Sequence, residues 1–373
     1  MKLKFTPPKR KTKVVFVQLG SPEKPTPKAL RKFLRKFLGD PRVVDINPWV
    51  WKIILYCFVL PFRPRKSAKL YERIWDGSSF PLITNTVDFT QKVRDELCKI
   101  DPDGHVEVNH AFLLSPPYVN EVYDDWEKDV KNGTGATKLM VIPMFPQYSE
   151  STVASGVDAL AKELSKRVKI PTFEVITNFH KTHAFIDNSV AQIDGRLKEL
   201  LADGVRIDCL IISFHGMQKR RVVYKGDDYY RHCYETFRLI VDRLEHIKPD
   251  QAIMTFQSRF GSEEWITPYT DDVAQRLIEE GKKEIAVYSP SFVADCLETT
   301  DELGHELVLE AEEWGGKIYP IECLNKNEQW CKDFAKYTYT QAEGSAQNKE
   351  DLEYQLKPED YEEMPQQVMN ISS

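Results

Sequence analysis

Residues 209–216 read Cys-Leu-Ile-Ile-Ser-Phe-His-Gly, and residues 14–20 read Val-Val-Phe-Val-Gln-Leu-Gly. Each is a short apolar run rich in branched side chains, without the alternation of a strand that has one wet face. That pattern predicts strands buried on both faces, as in the interior of a parallel sheet. Each run closes on a glycine, which lets the backbone turn and approach a ligand closely. Residues 139–142 and 285–288 repeat the pattern and are followed by Pro143 and Ser289. Helical periodicities fill the intervals, over residues 28–38, 153–168, 183–201, 228–246 and 293–314. Alternation of strand and helix predicts an α/β fold with doubly wound parallel sheets. Ligands of such sheets sit beyond the carboxyl ends of the strands, so the loops at Gly20, Pro143, His215 and Ser289 should face one cleft.

The pattern runs twice, once from Val14 and again from about Pro171, which predicts an N-terminal half over residues 1–170 and a C-terminal half over 171–340. A chain of 373 residues also exceeds what one core usually holds, so two cores are expected. Residues 341–373 turn polar and acidic and read as a disordered tail.

Hydrophobic residues make up 42% of the chain and charged ones 29%, the balance of an ordinary soluble protein. The net charge of -6 argues against a nucleic-acid partner, which would demand a basic surface. Basic residues do cluster at Lys9, Arg10, Lys11 and Lys13 and at Arg63, Arg65, Lys66 and Lys69, most simply as solvated surface. The seven cysteines contain no CxxC pair, which fits a reducing compartment and excludes zinc-knuckle and iron–sulfur spacings. The first 13 residues are basic without the apolar core of a secretory signal, so a cytoplasmic protein of bacterial type is expected. Residues 49–62, WVWKIILYCFVLPF, are too short to span a bilayer and are interrupted by Lys52 and Pro61. They read as an apolar lip that touches a membrane surface, with a buried helix as the alternative. Gly133 and Gly135 begin a dinucleotide fingerprint but precede a strand instead of following one. Neither GxSxG nor HExxH occurs, which removes the commonest hydrolase readings.

Two places can carry chemistry. His215 sits where a buried strand ends, and its position alone fits a proton acceptor and a histidine held by backbone equally well. Glu298, Glu302 and Glu306 follow at i, i+4 and i+8 and form one row on a helix, opposite the apolar positions Val293, Leu297, Leu307 and Val308. Periodicity makes that row a solvated face; the functional alternative is an acidic track for divalent cations or protons.

Six segments bear on this choice. LGSPE at 19–23, FRPRKSAKLYERIW at 62–75, PMFPQYS at 143–149, SFHGMQKRRVVYKGDDYY at 213–230, QSRFGSEEWITPYTD at 257–271 and SFVADCLETTDEL at 291–303 resemble the ferrochelatase family in order and spacing. The resemblance implies two Rossmann-like halves with a porphyrin cleft between them, and insertion of Fe²⁺ into protoporphyrin IX or coproporphyrin III with release of two protons. It implies that His215 and Glu298 face each other across the macrocycle as catalytic and metal-binding pair, and that Glu302 and Glu306 are a proton or metal path. It further implies porphyrin contacts at Leu19, Arg63, Arg65, Tyr148, Ser149 and Trp265. Iron is then substrate, with no cofactor and no iron–sulfur cluster expected, and a monomer at the membrane periphery is the expected working form.

The sequence departs from the family in three places. Leu113 and Leu114 stand where a polar Arg-Tyr pair is common, Leu19 replaces a Met or Tyr, and Cys296 replaces a second histidine. A chelatase for another metal such as cobalt, and a non-catalytic tetrapyrrole carrier, are the alternative readings.

Overall fold

The computed structural model describes residues 11–131, 136–261, 263–344, 352–361 and 364. Lys9, Arg10, Gly133 and Gly135 therefore lie outside the described residues. The first sheet comprises β1 (Thr12–Gln18), β2 (Val106–Phe112), β3 (Lys138–Pro143) and β4 (Thr172–Val175). The second comprises β5 (Cys209–His215), β6 (Ala252–Gln257), β7 (Glu284–Tyr288) and β8 (Lys317–Pro320). Both sheets are wholly parallel, and their orders, β2-β1-β3-β4 and β6-β5-β7-β8, are the same. β1 is buried along its length, as its unbroken apolar run requires, and β5 is buried up to His215. The order reverses direction between β1 and β3 and between β5 and β7, so the carboxyl ends of these four strands are where a ligand is expected in sheets of this kind.

The expectation of two separate cores is corrected by the packing. Inner-face residues of both sheets, Val14, Phe16, Met140 and Ile142 with Leu210, Ile212, Phe214 and Tyr288, belong to one continuous apolar cluster. The outer faces form two smaller cores, one around Val15, Val17, Tyr123 and Trp126 and the other around Ile211, Val287, Leu277 and Leu307. The helix Glu328–Glu343 follows β8 yet lies against the first sheet, with Phe334 5.6 Å from Phe16 and Trp330 stacked 5.5 Å from Phe89. β4 likewise lies beyond residue 170 while pairing with β3, so neither half ends where periodicity divides the chain.

Of the tail over residues 341–373, residues 345–351, 362–363 and 365–373 lie outside the described residues, while residues 352–361 lie against the body, and Leu352, Tyr354, Leu356 and Met364 join the central core. Their tyrosines and leucines are spaced too irregularly to register as a helix or strand, while neighbouring acidic residues dominate the composition.

Residues 49–62 fold as the end of the helix Pro48–Ile54, a π-helical turn Leu55–Val59 and the start of the helix Leu60–Arg73. Asn47 caps the first helix by accepting the Trp49 and Val50 amides, and Pro48 fits the first turn, where no amide is needed. Leu55 and Leu60 bury themselves against Phe33, Leu34 and Leu38. Trp49, Ile53, Phe58 and Phe62 point outward with 62–77% of their surface exposed. Among the described residues no helix is long and apolar enough to cross a membrane.

Candidate active site

His215 is the last residue of β5, and three partners fix it there. Its amide donates to Ser291 Oγ at 3.1 Å, and its carbonyl accepts the Tyr229 hydroxyl at 2.9 Å. Its ring Nδ1 lies 2.6 Å from the Gly216 carbonyl. A carbonyl only accepts, so Nδ1 carries a proton, and in the neutral imidazole the lone pair is on Nε2. Phe292 packs edge-on to the imidazole at 6.2 Å.

Gln257, at the end of β6, connects this histidine to the glutamate row. Its side-chain oxygen accepts the Ser213 hydroxyl at 2.7 Å, its carbonyl accepts the Gly216 amide at 2.7 Å, and its Nε2 donates to the Glu298 carbonyl at 3.1 Å. Residues Glu298–Glu306 form a π-helix instead of the α-helix that the periodicity predicts from residue 293. The preceding turn is held by Asp295, whose carboxylate accepts from Asn325 and from the Thr299 hydroxyl. π-Helical turns are rare overall and frequent at functional sites.

The glutamate row is graded, from partly buried Glu298 and Glu302 to exposed Glu306, and this corrects the reading of a uniformly solvated face. Glu302 accepts the Ser258 amide at 2.7 Å and also the Ser258 hydroxyl. Burial raises the pKa of Glu302, Glu298 raises it further, and the Ser258 contacts and His215 oppose the rise. The Glu302 carboxyl thus feels both members of the expected pair. At the outer end Arg73 binds Asp301 at 2.9 Å and Glu306 at 3.2 Å.

The expected porphyrin contacts arrive from both halves. Leu19 belongs to a cluster with Phe292, Ala294, Cys296 and Leu82, and Phe292 of that cluster packs on the His215 ring. Arg63 lies over the Phe260 ring at 4.3 Å and is half-buried; burial lowers its pKa, and no acidic partner pairs with it among the described residues. Its neighbour Tyr71 is pushed well above the ordinary phenol range by desolvation and then by Glu298, which ties Arg63 to the same neighbourhood. Arg65 is exposed. Trp265 lies against Gly216 and donates to the Phe260 carbonyl at 2.9 Å. Tyr148 is half-buried, and Gln147 beside it donates to the Pro290 carbonyl at 3.3 Å, joining the loop after β3 to the loop after β7. Ser149 is buried, and its hydroxyl accepts the Ser151 amide at 3.2 Å, capping the π-turn Glu150–Ala154.

The departures from the family have local explanations. Leu113 packs into the outer core of the first sheet and Leu114 into the cluster beneath the lip, so both are absorbed by packing. Cys296 is buried, and burial and then Glu298 push its thiol well above the ordinary range, which keeps it protonated and a poor metal ligand. Gln257, Ser258, Ser291 and Arg73 were not singled out in the sequence. Gln257, Ser258 and Ser291 open two of the quoted segments, but their roles depend on partners distant in the chain.

The sequence profile of the family described as Ferrochelatase matches residues 11–342. A ferrochelatase of Idiomarina loihiensis is 40% identical over 313 residues, covering 84% of this chain and 83% of its own. A coproporphyrin III ferrochelatase of Streptococcus mutans is 38% identical over 298 residues, covering 79% and 86%. Ferrochelatase 2 of Shewanella oneidensis is 37% identical over 320 residues, covering 85% and 94%. Taken with the paired parallel sheets and the loops that meet at their switch points, these likenesses mean that the chain belongs to the ferrochelatase family, the enzymes of haem biosynthesis that insert ferrous iron into a porphyrin.

Proposed function

We propose that His215 is the base that takes the pyrrole protons, and that Glu298, Glu302 and Glu306 pass protons or Fe²⁺ between the cleft and solvent. The observation that carries this reading is the Nδ1 contact to the Gly216 carbonyl at 2.6 Å, which leaves the Nε2 lone pair free to accept. Metallation requires two N–H protons to leave while Fe²⁺ sheds water. A neutral imidazole accepts protons near neutral pH, and imidazole and carboxylate together ligate Fe²⁺ without holding it irreversibly. Walls that fit a buckled macrocycle better than a flat one lower the remaining barrier, since only interactions favouring the distorted state accelerate the step. Arg63, a cation over the Phe260 ring with no acidic partner among the described residues, supports a role in binding a porphyrin carboxylate.

His215→Ala and Glu298→Gln should each lower anaerobic iron incorporation by about 10²–10⁴-fold while fluorescence quenching still reports porphyrin binding. The double variant should be little worse than either single one, because the pair acts as a unit. Near-normal turnover in folded His215→Ala would refute the assignment, and a carrier would show no turnover in the wild type.

The enzyme is further proposed to work as a cytoplasmic monomer with residues 49–62 against a membrane surface. Support comes from the outward Trp49, Ile53, Phe58 and Phe62, flanked by exposed Lys52, Arg65, Lys66 and Lys69.

A further inference from the structure

His180, His232 and Glu235 are buried together, with possible ligand atoms within 4.8 Å of one another. Two histidines and a carboxylate suggest a transition metal, but the hydrogen bonds exclude it. His232 Nδ1 accepts the Tyr148 amide at 3.1 Å, and an amide can only donate. The proton of the neutral ring is therefore on Nε2, which has no lone pair to offer a metal. His180 Nε2 is closed onto Glu235 Oε2 at 2.5 Å. The His180 and His232 rings stack at 4.0 Å with 20° between their planes. Burial, and next the His180 neighbour, bring the His232 pKa down to about 2, so its Nδ1 lone pair persists at working pH.

The chain of contacts continues to the surface. Glu235 Oε1 accepts the Tyr361 hydroxyl at 2.6 Å. Residues 352–361 also grip the elements that carry the two histidines. The Tyr354 amide donates to the Lys181 carbonyl at 2.9 Å, and the His183 amide to the Leu352 carbonyl at 3.0 Å. The Tyr234 hydroxyl donates to the Asp360 carbonyl at 2.9 Å, and the Tyr354 ring lies 3.8 Å from the Arg243 guanidinium.

We propose that His232 is a positioning residue for Tyr148, and that residues 352–361 form a strap holding His232 in place through Tyr361, Glu235 and His180. The proposal rests on the reading that Tyr148 contacts the porphyrin. Anchoring the Tyr148 amide orders the loop after β3 before substrate arrives, which lowers the ordering penalty of binding. His215 is held by Ser291 and Tyr229 and Glu298 by Gln257; Tyr229 shares a helix with His232, but none of the three hydrogen-bonds His232 or residues 352–361, so the strap should act chiefly on porphyrin affinity.

The test uses full-length Tyr148→Ala, His232→Leu, His232→Gln and Tyr361→Phe, with porphyrin affinity from fluorescence quenching and iron incorporation measured on each. Tyr148→Ala removes the porphyrin contact itself and should raise the porphyrin Kd and KM, and His232→Leu, which removes the acceptor of the Tyr148 amide, should raise both by about three- to tenfold, the range of one lost hydrogen bond, with kcat of the His232 variant nearly unchanged. His232→Gln keeps an acceptor for the amide and should recover most of the affinity, and Tyr361→Phe should show a smaller loss of the same kind. An unaltered Kd in Tyr148→Ala would overturn the reading of Tyr148 and the strap with it. A raised Kd in Tyr148→Ala beside a normal one in His232→Leu would overturn the strap alone. Equal loss in His232→Leu and His232→Gln, or a fall in kcat matching a fall in Tm, would reduce the cluster to a purely structural role.

Discussion

Gly216 has no room for a side chain. A Cβ there would lie 2.6 Å from the Gln257 carbonyl and 3.1 Å from Trp265 Cε3. The carbonyl cannot yield without loosening the Gly216 amide bond and the Gln257 side chain that reaches Glu298. Gly216→Ala is therefore expected to destabilise the fold by about 1–3 kcal/mol, as overpacking does, and to lower kcat for iron insertion. Thermal unfolding and steady-state rates check both; a normal kcat would mean that the Gln257 bridge has no bearing on the chemistry. The His-Gly pair was legible in the sequence because it ends a buried run. Its reason was not, since Gln257 and Trp265 come beside it only through the pairing of β5 with β6. The imidazole tautomer was equally hidden, being set by a carbonyl that every sequence has at every position.

Among the elements, the helix Lys219–Lys225 acts as a brace between the halves. Arg221, almost wholly buried, donates to the carbonyls of Arg42 at 2.5 Å and Val43 at 2.9 Å, while Arg220 and Lys225 both bind Asp45. The Lys225 hydrogen bond, and next that of Arg220, outweigh desolvation and hold the Asp45 pKa below the ordinary carboxylate value. A depressed folded pKa contributes stability that is present above the unfolded value, about 3.9, and lost as pH falls through the folded one. Asp45→Asn should thus lower Tm by a constant amount at neutral and mildly acidic pH, and the gap should close as the solution is taken below about pH 4. A gap that persists undiminished under strong acid would mean that Asp45 acts by packing instead. Element by element, periodicity leaves β2, β4, β6 and β8 unmarked, whereas β1, β3, β5 and β7 and the helix Pro27–Phe37 stand close to where it put them. The Glu298–Glu306 segment does not, because a π-turn and an α-turn both keep residues four apart on one face, and hydrophobic spacing cannot tell them apart.

For the whole molecule, the exposed lip and the shared core set different expectations. Replacing Trp49, Ile53 and Phe58 with serine should release the enzyme from anionic liposomes in a sedimentation assay while Tm barely moves, since exposed positions typically change stability by no more than about 0.5 kcal/mol. Leu55→Ser, between Ile53 and Phe58 but turned inward and only 3% exposed, should instead destabilise by about 2–5 kcal/mol. Retention of the triple variant on liposomes would remove the membrane role. The sequence showed the two-fold repetition of the pattern but not the path of Glu328–Glu343, because a helix rich in aromatic residues fits either sheet equally well on paper. That path has a consequence for biosynthesis. A ribosome releases Phe16 and Phe89 long before Phe334 and Trp330, so the early part of the nascent chain emerges with a bare apolar face whose cover has not yet been translated. The two halves share a strand order, yet the first cannot finish folding on the ribosome ahead of the second, and the newborn polypeptide must be shielded from its neighbours until translation is nearly done.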